Sequence, residues 1–374
     1  MKSFIKTIII CYLLICCFLT THNAFTVQAS TSSARAMIVI EQTSKRVLYE
    51  KNAYKPLAMA STTKIMTALT TLHLCSNLDE EVKIHPKSVG IPGTSIYLRK
   101  GETLTVKELL YGLMLPSGND AAVALAYHAS GSEEKFVAEM NILANKIGCT
   151  FTHFSNPHGL DERGHFTTAY DLAIIAAKAL ENKDFLEISM TKSIEIRGSK
   201  EGAKRFLKNK NKLVTTMEGC TGVKIGFTDD AGRCLVGSID KNNFKAISVV
   251  LNCGPMFEES KVLLELATDQ FKMVNLSNLI SKTIQVENSE KTQVTATSIE
   301  DFYYPLTNEE LENIKVEYTV PEKLVAPIEE GTLVGKVKVL SNGRLLFEKD
   351  LLIMEEAKPK QKPNATREIL DHWF

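Results

Sequence analysis

Alternating apolar and polar residues predict strands near the N-terminus of the chain and again beyond its middle. Residues 36–50 read as a hairpin, because AMIVIEQ and RVLYE alternate on either side of the turn residues TSK. Short strand-like runs return at 223–225, 234–239 and 244–251, with turn residues between them. We therefore expect one antiparallel sheet that is closed by segments distant in sequence.

Helical periodicity fills the chain between these strands. Apolar residues recur at helical spacing across 61–74. Thr105 and Glu108 have the spacing of a capping box, and the helix that they begin should end before Pro116. Further helices are predicted at 121–129, 132–147, 170–180 and 257–273. The predicted fold class is α/β, an antiparallel sheet flanked by helices with an all-helical cluster at its side.

The N-terminal segment, residues 1–29, predicts a signal peptide. Lys2 and Lys6 precede an apolar run, and Ala29 closes a small-residue cleavage site. The run is shorter than the roughly 20 apolar residues of a membrane span, and an uncleaved anchor is the less favoured alternative. In either case we expect the body of the protein to lie outside the cytoplasm.

The C-terminal third predicts a separate small module. Residues 276–356 alternate in short stretches between turn residues, which favours an all-β, β-sandwich-like domain. Residues 357–374 begin with a charged, proline-containing linker and end in a segment with Ile369, Leu370, Trp373 and Phe374 on one side. This tail predicts peripheral contact with the outer face of the cytoplasmic membrane; a frayed, solvated end is the alternative.

Charge and cysteine usage exclude several classes of function. Lys plus Arg and Asp plus Glu number 44 each, so nothing predicts nucleic acid or another strongly charged partner. Of eight cysteines, three belong to the predicted signal peptide, and the remainder show neither a disulfide framework nor a metal-binding pair. No metal-protease or phosphate-loop motif occurs, so we expect neither a metal nor another cofactor.

Three short motifs carry candidate chemistry. Ser61 and Lys64 are one helical turn apart, and a buried lysine amine can take the proton of a serine hydroxyl. Ser117-Gly118-Asn119 falls between two predicted helices, although such a string after proline is usually only a turn. Lys224, followed by Ile225 and Gly226, falls on a predicted strand whose edge can pair with an extended peptide.

Each motif is weak when taken alone. S-x-x-K also occurs at Ser3, Ser132, Ser189 and Ser238, and K-x-G recurs elsewhere as well. For any one of these strings, a solvated helix face or a turn is the simpler interpretation. The set becomes informative only through the order of the motifs and the sequence around each of them.

In that order, the motifs resemble those of the serine-type D-alanyl-D-alanine carboxypeptidases, the low-molecular-weight penicillin-binding proteins of peptidase family S11. The longer blocks PLAMASTTKIMTAL, LLYGLMLPSGNDAAVALA, FSNPHGLDERGHFTTAYDLA and GVKIGFTDDAGRCLVGS resemble this family too. The similarity covers roughly residues 34–273. It implies a catalytic domain at 30–275 with the penicillin-binding/β-lactamase-like transpeptidase fold.

The resemblance also implies roles for single residues. Ser61 would attack the carbonyl between the two terminal D-alanines, with Lys64 as its general base. Ser117 and Asn119 would relay protons and position the substrate. Substrate binding would fall to Lys224, Gly226, Phe227 and Thr228, with Thr228 in contact with the terminal carboxylate. The backbone amides of Ser61 and Phe227 would form the oxyanion hole. The implied substrate is a peptidoglycan stem peptide ending in D-Ala-D-Ala, and β-lactams should act as covalent inhibitors.

The sequence departs from the family pattern at two places. Ile225 replaces the usual threonine, which removes a hydroxyl donor and predicts weaker recognition of substrate or β-lactam. The stretch Gly254 to Phe257 lacks an arginine that some members use to bind a carboxylate. Arg233 is a candidate substitute, and a surface arginine is the alternative. His158 suggests a base, although a loop-bracing role is the favoured interpretation.

Two other functions remain open at the level of sequence. One is a β-lactamase or an esterase on the same scaffold, for which Glu162 would have to activate the deacylating water. The other is a weakly active or non-catalytic wall-binding homologue, which the replacement at Ile225 leaves open. The intact Ser61 and Lys64 pair favours the carboxypeptidase over both.

Overall fold

The computed structural model describes residues 32–200, 202–298 and 301–360. The predicted signal peptide and the predicted amphipathic tail lie outside the described residues. Contacts divide the chain into two compact units, which meet in sequence between Ala267 and Thr268. The first unit contains all of the motifs described above.

The first unit is built on a five-stranded antiparallel sheet in the order β2-β1-β9-β8-β7. Its strands are β1 Ala36–Glu41, β2 Val47–Lys51, β7 Cys220–Thr228, β8 Gly232–Lys241 and β9 Phe244–Leu251. The N-terminal hairpin pairs with β9, so the sheet is closed by segments distant in sequence, as predicted. This order leaves β7 as an edge strand.

Helices cover the sheet and form a cluster beside it. They are α1 Lys64–Leu74, α2 Val106–Met114, α3 Asn119–Ser130, α4 Glu133–Lys146, α5 Ala169–Leu180, α6 Lys183–Met190, α7 Leu213–Thr216 and α8 Met256–Gln270. The capping box of Thr105 and Glu108 is present, and α2 ends before Pro116 as predicted. The buried faces of α1 to α6 share one apolar core with the sheet.

Two small hairpins complete the first unit. They are β3 Glu81–Lys83 with β4 Thr103–Thr105, and β5 Ser193–Arg197 with β6 Lys204–Lys208. Neither hairpin was predicted, and neither were α6 and α7. The sequences SIEIR and KRFLK are rich in charge, and their strands bury only Ile196 and Leu207 in the core.

The second unit is mostly β-structure. A six-stranded sheet has the order β14-β16-β17-β12-β11-β15 and a two-stranded sheet pairs β10 with β13. The elements are β10 Lys272–Asn275, β11 Ser281–Glu287, β12 Gln293–Thr297, β13 Tyr303–Leu306, α9 Asn308–Glu312, β14 Ile314–Thr319, β15 Lys323–Val325, β16 Leu333–Ser341 and β17 Arg344–Ile353. It has an apolar core of its own.

Two predicted helix boundaries are wrong. The helix expected at 257–273 ends at Gln270, and Met273 lies in β10. No glycine or proline marks this end, so periodicity alone extended the helix too far. The helix expected at 121–129 begins two residues earlier, at Asn119. Asn119 is therefore the first residue of a helix and not part of a loop.

Candidate active site

Ser61 lies on a short 3₁₀ turn, Ala60–Thr63, which runs directly into α1. The sequence predicted a continuous α-helix here. In a 3₁₀ turn the side chains at positions i and i+3 eclipse each other, so Ser61 and Lys64 lie in line. The hydroxyls of Thr62 and Thr63 brace the turn by donating to the carbonyls of Met59 (2.6 Å) and Ala60 (2.7 Å).

The loop around Gly159 packs against this turn from behind. Gly159 has a φ of +89°, and a Cβ at this position would lie 2.0 Å from the carbonyl oxygen of Ala60. His165 supports the same turn: its Nδ1 accepts from the Ser155 amide, and its Nε2 lies 2.8 Å from the Thr63 hydroxyl. Since that hydroxyl donates to Ala60, Nε2 carries the proton, and burial lowers the pKa of His165 to about 4.

Lys64 is fully buried and touches three polar atoms. Its Nζ lies 3.0 Å from Ser61 Oγ, 2.7 Å from Asn119 Oδ1 and 2.5 Å from the carbonyl oxygen of His158. The amide oxygen and the carbonyl oxygen can only accept, so each must receive an N–H from the amine. A neutral amine has two N–H bonds, and its lone pair is then left to face the Ser61 hydroxyl.

The charge environment favours that neutral amine. Burial holds the pKa of Lys64 well below its usual range, and the nearby Lys224 lowers it further. Lys224, which is also buried, has its pKa lowered to about 7 by burial and by Lys210. Its ammonium group donates to the carbonyl of Ile225 at 3.0 Å. Two buried amines close together cannot both hold a proton without mutual repulsion.

Asn119 and Ser117 complete the wall beside Lys64. Asn119 Nδ2 donates to the carbonyl of Pro92 at 2.6 Å, which fixes the amide with its oxygen toward Lys64. Ser117 has a φ of +72° and is 4% exposed. Its hydroxyl has no hydrogen-bond partner among the described residues and faces the cleft. We call Ser61, Lys64, Ser117 and Asn119 the helical wall.

The edge strand β7 forms the opposite wall and approaches Ser61 closely. A Cβ built on Gly226 would lie 3.0 Å from the backbone nitrogen of Ser61 and 3.0 Å from the carbonyl oxygen of Met59. A side chain at this position would be crowded against the turn, so a glycine lets the strand come this near. As a result the backbone of β7 and the amide of Ser61 border the same space. We call residues 224–228, with Arg233 beside them on β8, the strand wall.

Between the walls lies an open cleft of about 560 Å³. Of the predicted site residues, the cleft is lined by Ser61, Ser117, Asn119, Gly226, Phe227 and Thr228. Lys64 lies directly behind Ser61. The Thr228 hydroxyl donates to Asp161 Oδ1 at 2.7 Å, a contact that the sequence did not predict. Ile225 also lines the cleft, where a threonine hydroxyl would otherwise stand.

Two further cations, Lys210 and Lys212, line the cleft and were not predicted from the sequence. Lys210 and Lys212 follow β6, and α8 contributes Met256 and Phe257. The Lys212 ammonium lies over the Phe257 ring, 5.5 Å from its centre. In sequence, 208–212 is an ordinary basic run with no motif. Only the return of the chain after the β5–β6 hairpin brings it to the cleft.

The competing S-x-x-K strings within the described residues have structural roles. Ser132 caps α4, where its hydroxyl accepts from the Lys135 amide. Ser189 is buried and donates to the carbonyl of Thr221. The Ser238 hydroxyl lies 2.6 Å from that of Thr221 inside the sheet. None of the three lines the cleft.

His158 contributes a backbone carbonyl to the site, and its ring stays within its own loop. Its Nδ1 accepts from the Leu160 amide at 3.2 Å, and burial lowers the pKa of the ring to about 3. Cys75, Cys149, Cys220, Cys234 and Cys253 are all buried and unbridged. Among residues 32–200, 202–298 and 301–360, no cluster of His, Cys, Asp or Glu could hold a metal ion.

This geometry, a serine hydroxyl beside a buried lysine amine at the edge of a cleft, is one that the class of serine hydrolases can use. Comparisons with known proteins agree with that class. The family model for D-alanyl-D-alanine carboxypeptidase matches residues 23–254, and the model for the C-terminal domain of penicillin-binding protein 5 matches residues 270–359. The chain belongs to the D-alanyl-D-alanine carboxypeptidase family.

Individual relatives and a solved structure are similar along most of their length. D-alanyl-D-alanine carboxypeptidase DacF of Bacillus subtilis is 33% identical over 336 residues, which cover 87% of this chain and 86% of the relative. DacC of Escherichia coli is 33% identical over 362 residues, with 91% and 89% covered. Penicillin-binding protein 5 from Haemophilus influenzae has a TM-score of 0.78 and 26% identity, with 87% and 98% covered.

The protein is therefore a serine-type D-Ala-D-Ala carboxypeptidase, a low-molecular-weight penicillin-binding protein that acts on peptidoglycan. The predicted fold class is confirmed by these neighbours and by the sheet topology. The comparisons favour this activity over a β-lactamase, an esterase or a non-catalytic homologue.

Proposed function

We propose that Ser61 is the nucleophile of this carboxypeptidase and that Lys64 is its general base. The single observation that carries the proposal is the set of contacts around Lys64 Nζ. Asn119 Oδ1 and the His158 carbonyl take its two N–H bonds, and its lone pair remains for the Ser61 proton 3.0 Å away. Burial keeps the amine neutral enough to accept that proton.

Acylation then follows from the positions of the other groups. Ser61 Oγ attacks the carbonyl carbon of the penultimate D-alanine as its proton passes to Lys64. The charge that develops on the carbonyl oxygen lies next to the Ser61 and Phe227 amides, where the close approach of Gly226 brings β7 to Ser61. Loss of one donor from such a hole typically costs about 2.7–4 kcal/mol.

Breakdown of the intermediate requires a proton for the departing amine. The C–N bond breaks, and the amine of the terminal D-alanine takes the proton that Lys64 received. Ser117 is suited to relay it, since its buried hydroxyl faces the cleft without a partner among the described residues. Water then attacks the ester, Lys64 again accepts the proton, and Ser61 is regenerated. Penicillins enter the same first step, and their ester persists.

Substrate binding falls to the strand wall. An extended stem peptide can add to the free edge of β7 through backbone hydrogen bonds. Lys224 supplies positive charge from behind the strand, and Gly226, Phe227 and Thr228 border the scissile bond. The cleft carries cations and is lined by no Asp or Glu among the described residues, which suits a substrate ending in a carboxylate.

The test is release of D-alanine from diacetyl-Lys-D-Ala-D-Ala. The wild-type protein should release it, and Ser61→Ala should reduce release to background while keeping the same thermal unfolding midpoint. Ser132→Ala and Ser238→Ala are matched controls, because each removes the serine of a competing S-x-x-K string. Release that persists in Ser61→Ala would refute the assignment of the nucleophile.

We further propose that residues 1–29 are removed as a signal peptide and that the mature protein contacts the outer face of the cytoplasmic membrane through its tail. The peptidoglycan substrate itself lies outside the cytoplasm. Among the described residues, no helix is long and apolar enough to span a bilayer. Deletion of residues 358–374 should move the protein from the membrane fraction to the soluble fraction, and an undiminished membrane fraction would refute the role of the tail.

A further inference from the structure

We propose that Arg233 binds the C-terminal carboxylate of the substrate in this enzyme. This inference rests on the proposed function, in which Ser61 attacks the last peptide bond. The leaving D-alanine is a single residue, so its carboxylate lies within about 3.3 Å along the chain from the scissile bond. The group that binds it must therefore stand close to Ser61 and to residues 225–228.

The position of Arg233 satisfies this requirement. Arg233 is the cross-strand partner of Phe227 in the β7–β8 pair, and the two side chains share one face of the sheet. Both residues are exposed and both line the cleft. Arg233 is anchored through its backbone, whose carbonyl accepts from the Cys253 amide at 2.8 Å.

The Arg233 guanidinium is also available to bind a ligand. Within the part of the chain that the structure describes, it forms neither an ion pair nor a hydrogen bond. Arg197 and Arg205, in contrast, are paired with glutamates at 2.7 and 2.8 Å. An arginine presents parallel N–H groups that match the two oxygens of a carboxylate, which makes it the more specific anchor for such a group.

The other donors near this position are engaged or absent. The Thr228 hydroxyl has one proton, and it donates that proton to Asp161. Ile225 has no hydroxyl. The Lys212 ammonium lies over the Phe257 ring. Lys210 lies close enough to Lys64 and Lys224 to lower their pKa values. Its charge therefore acts on the two buried lysines at that end of the cleft. Lys224 is buried, and its ammonium donates to the carbonyl of Ile225. Arg233 is therefore the remaining cation of the strand wall.

The experiment compares two acyl donors that differ only in the leaving group. Diacetyl-Lys-D-Ala-D-Ala carries the carboxylate, and the phenyl thioester of diacetyl-Lys-D-Ala does not. Arg233→Gln should lower kcat/KM for the peptide by about 10- to 100-fold, mainly through KM, because a hydrogen bond to a charged group is lost. The thioester should change by less than about threefold. Arg233→Lys should restore part of the loss for the peptide alone.

Lys212→Gln is the matched control, since it removes another positive charge from the same cleft. It should leave the ratio of peptide to thioester activity near that of the wild type. The proposal is overturned if Arg233→Gln lowers both donors equally or neither, or if Lys212→Gln produces the selective loss. A wild-type protein that accepts neither donor would instead refute the proposed function, so the two failures are distinguishable.

Discussion

The helical wall and the strand wall of the cleft differ in how their polar groups are held. On the helical wall, Lys64 is 0% exposed and Asn119 is 2% exposed, and the donors of both side chains reach fixed acceptors. On the strand wall, Phe227 is 63% exposed and Arg233 stands open to the cleft. The helical wall holds its amine and its amide in fixed contacts, whereas the strand wall presents accessible side chains in front of the buried Lys224.

The difference fits the roles that we propose for the two walls. A general base needs a shifted pKa, and burial among fixed acceptors produces the shift. A binding wall has to exchange its contacts with water for contacts with a ligand, so its groups stay accessible. Substitutions on the helical wall should therefore abolish the chemistry, whereas changes to the exposed side chains of the strand wall should adjust recognition. Substitutions on both walls test that division, and their expected effects decrease in the order given.

The largest effect is expected for Lys64→Met, which keeps an unbranched side chain one atom shorter and removes the amine. The rate of acylation by benzylpenicillin should fall by about 10²- to 10⁴-fold, because the general base is lost. Rates can be measured by mass spectrometry of the intact protein. The control is Lys178→Met, a lysine on an exposed helix surface paired with Glu181. Equal rates in the two variants would contradict the role of Lys64.

The next effect is expected where the two walls meet, at Gly226. In Gly226→Ala the new Cβ would lie 3.0 Å from the Ser61 nitrogen, so β7 must move away from the oxyanion hole. The kcat for release of D-alanine should drop by about 10²- to 10³-fold, as it does when one oxyanion donor is lost. Gly254→Ala is the control, since its Cβ would meet nothing within 4 Å. An unchanged kcat in Gly226→Ala would show that the strand position is unimportant.

A smaller effect, of opposite sign, is expected at Ile225. Ile225→Thr introduces a hydroxyl into the cleft and should raise the rate of acylation by penicillin by about 2- to 10-fold, the contribution of one added hydrogen bond. Ile225→Val is the matched control, because it is β-branched and has no hydroxyl. If the threonine and valine variants behave alike, the side chain at this position takes no part in recognition.

The smallest effect concerns pH and Lys210. Burial and Lys224 lower the pKa of Lys64, and Lys210 lowers it further. Lys64 must be neutral to act, so acylation declines as pH falls through its pKa. Lys210→Gln removes a positive charge, which raises that pKa and moves the acidic limb of the acylation profile to higher pH. Lys245→Gln, whose lysine pairs with Asp240, is the control. If the acidic limb of the acylation profile stays at the same pH in Lys210→Gln, Lys210 does not influence the pKa of Lys64.

Much of the fold was predictable because periodicity and turn residues mark it. The hairpin at 36–50, the capping box of Thr105 and the return of strands after residue 220 are all present. The β5–β6 hairpin was missed since charged residues occupy its exposed positions. The 3₁₀ turn at Ser61 was missed because Ala-Ser-Thr-Thr has the composition of an ordinary helix start.

The site was predictable only in part, for a reason that separates the two walls. Ser61, Lys64 and Asn119 carry motifs, so the sequence named them as candidates, and the structure brings the three together. Lys210 and the His158 carbonyl carry none, since a basic run and a backbone oxygen become part of the site only through tertiary folding. The contact of Thr228 with Asp161 joins residues 67 positions apart and leaves no local signal.

The roles of Ser61 and Lys64 are tested most directly by locating the penicilloyl group in the acylated protein by peptide mapping and tandem mass spectrometry. We expect the group on Ser61, no uptake by Ser61→Ala, and far slower uptake by Lys64→Met. A penicilloyl group on any other serine, or acylation of Ser61 at full rate without the Lys64 amine, would contradict these roles.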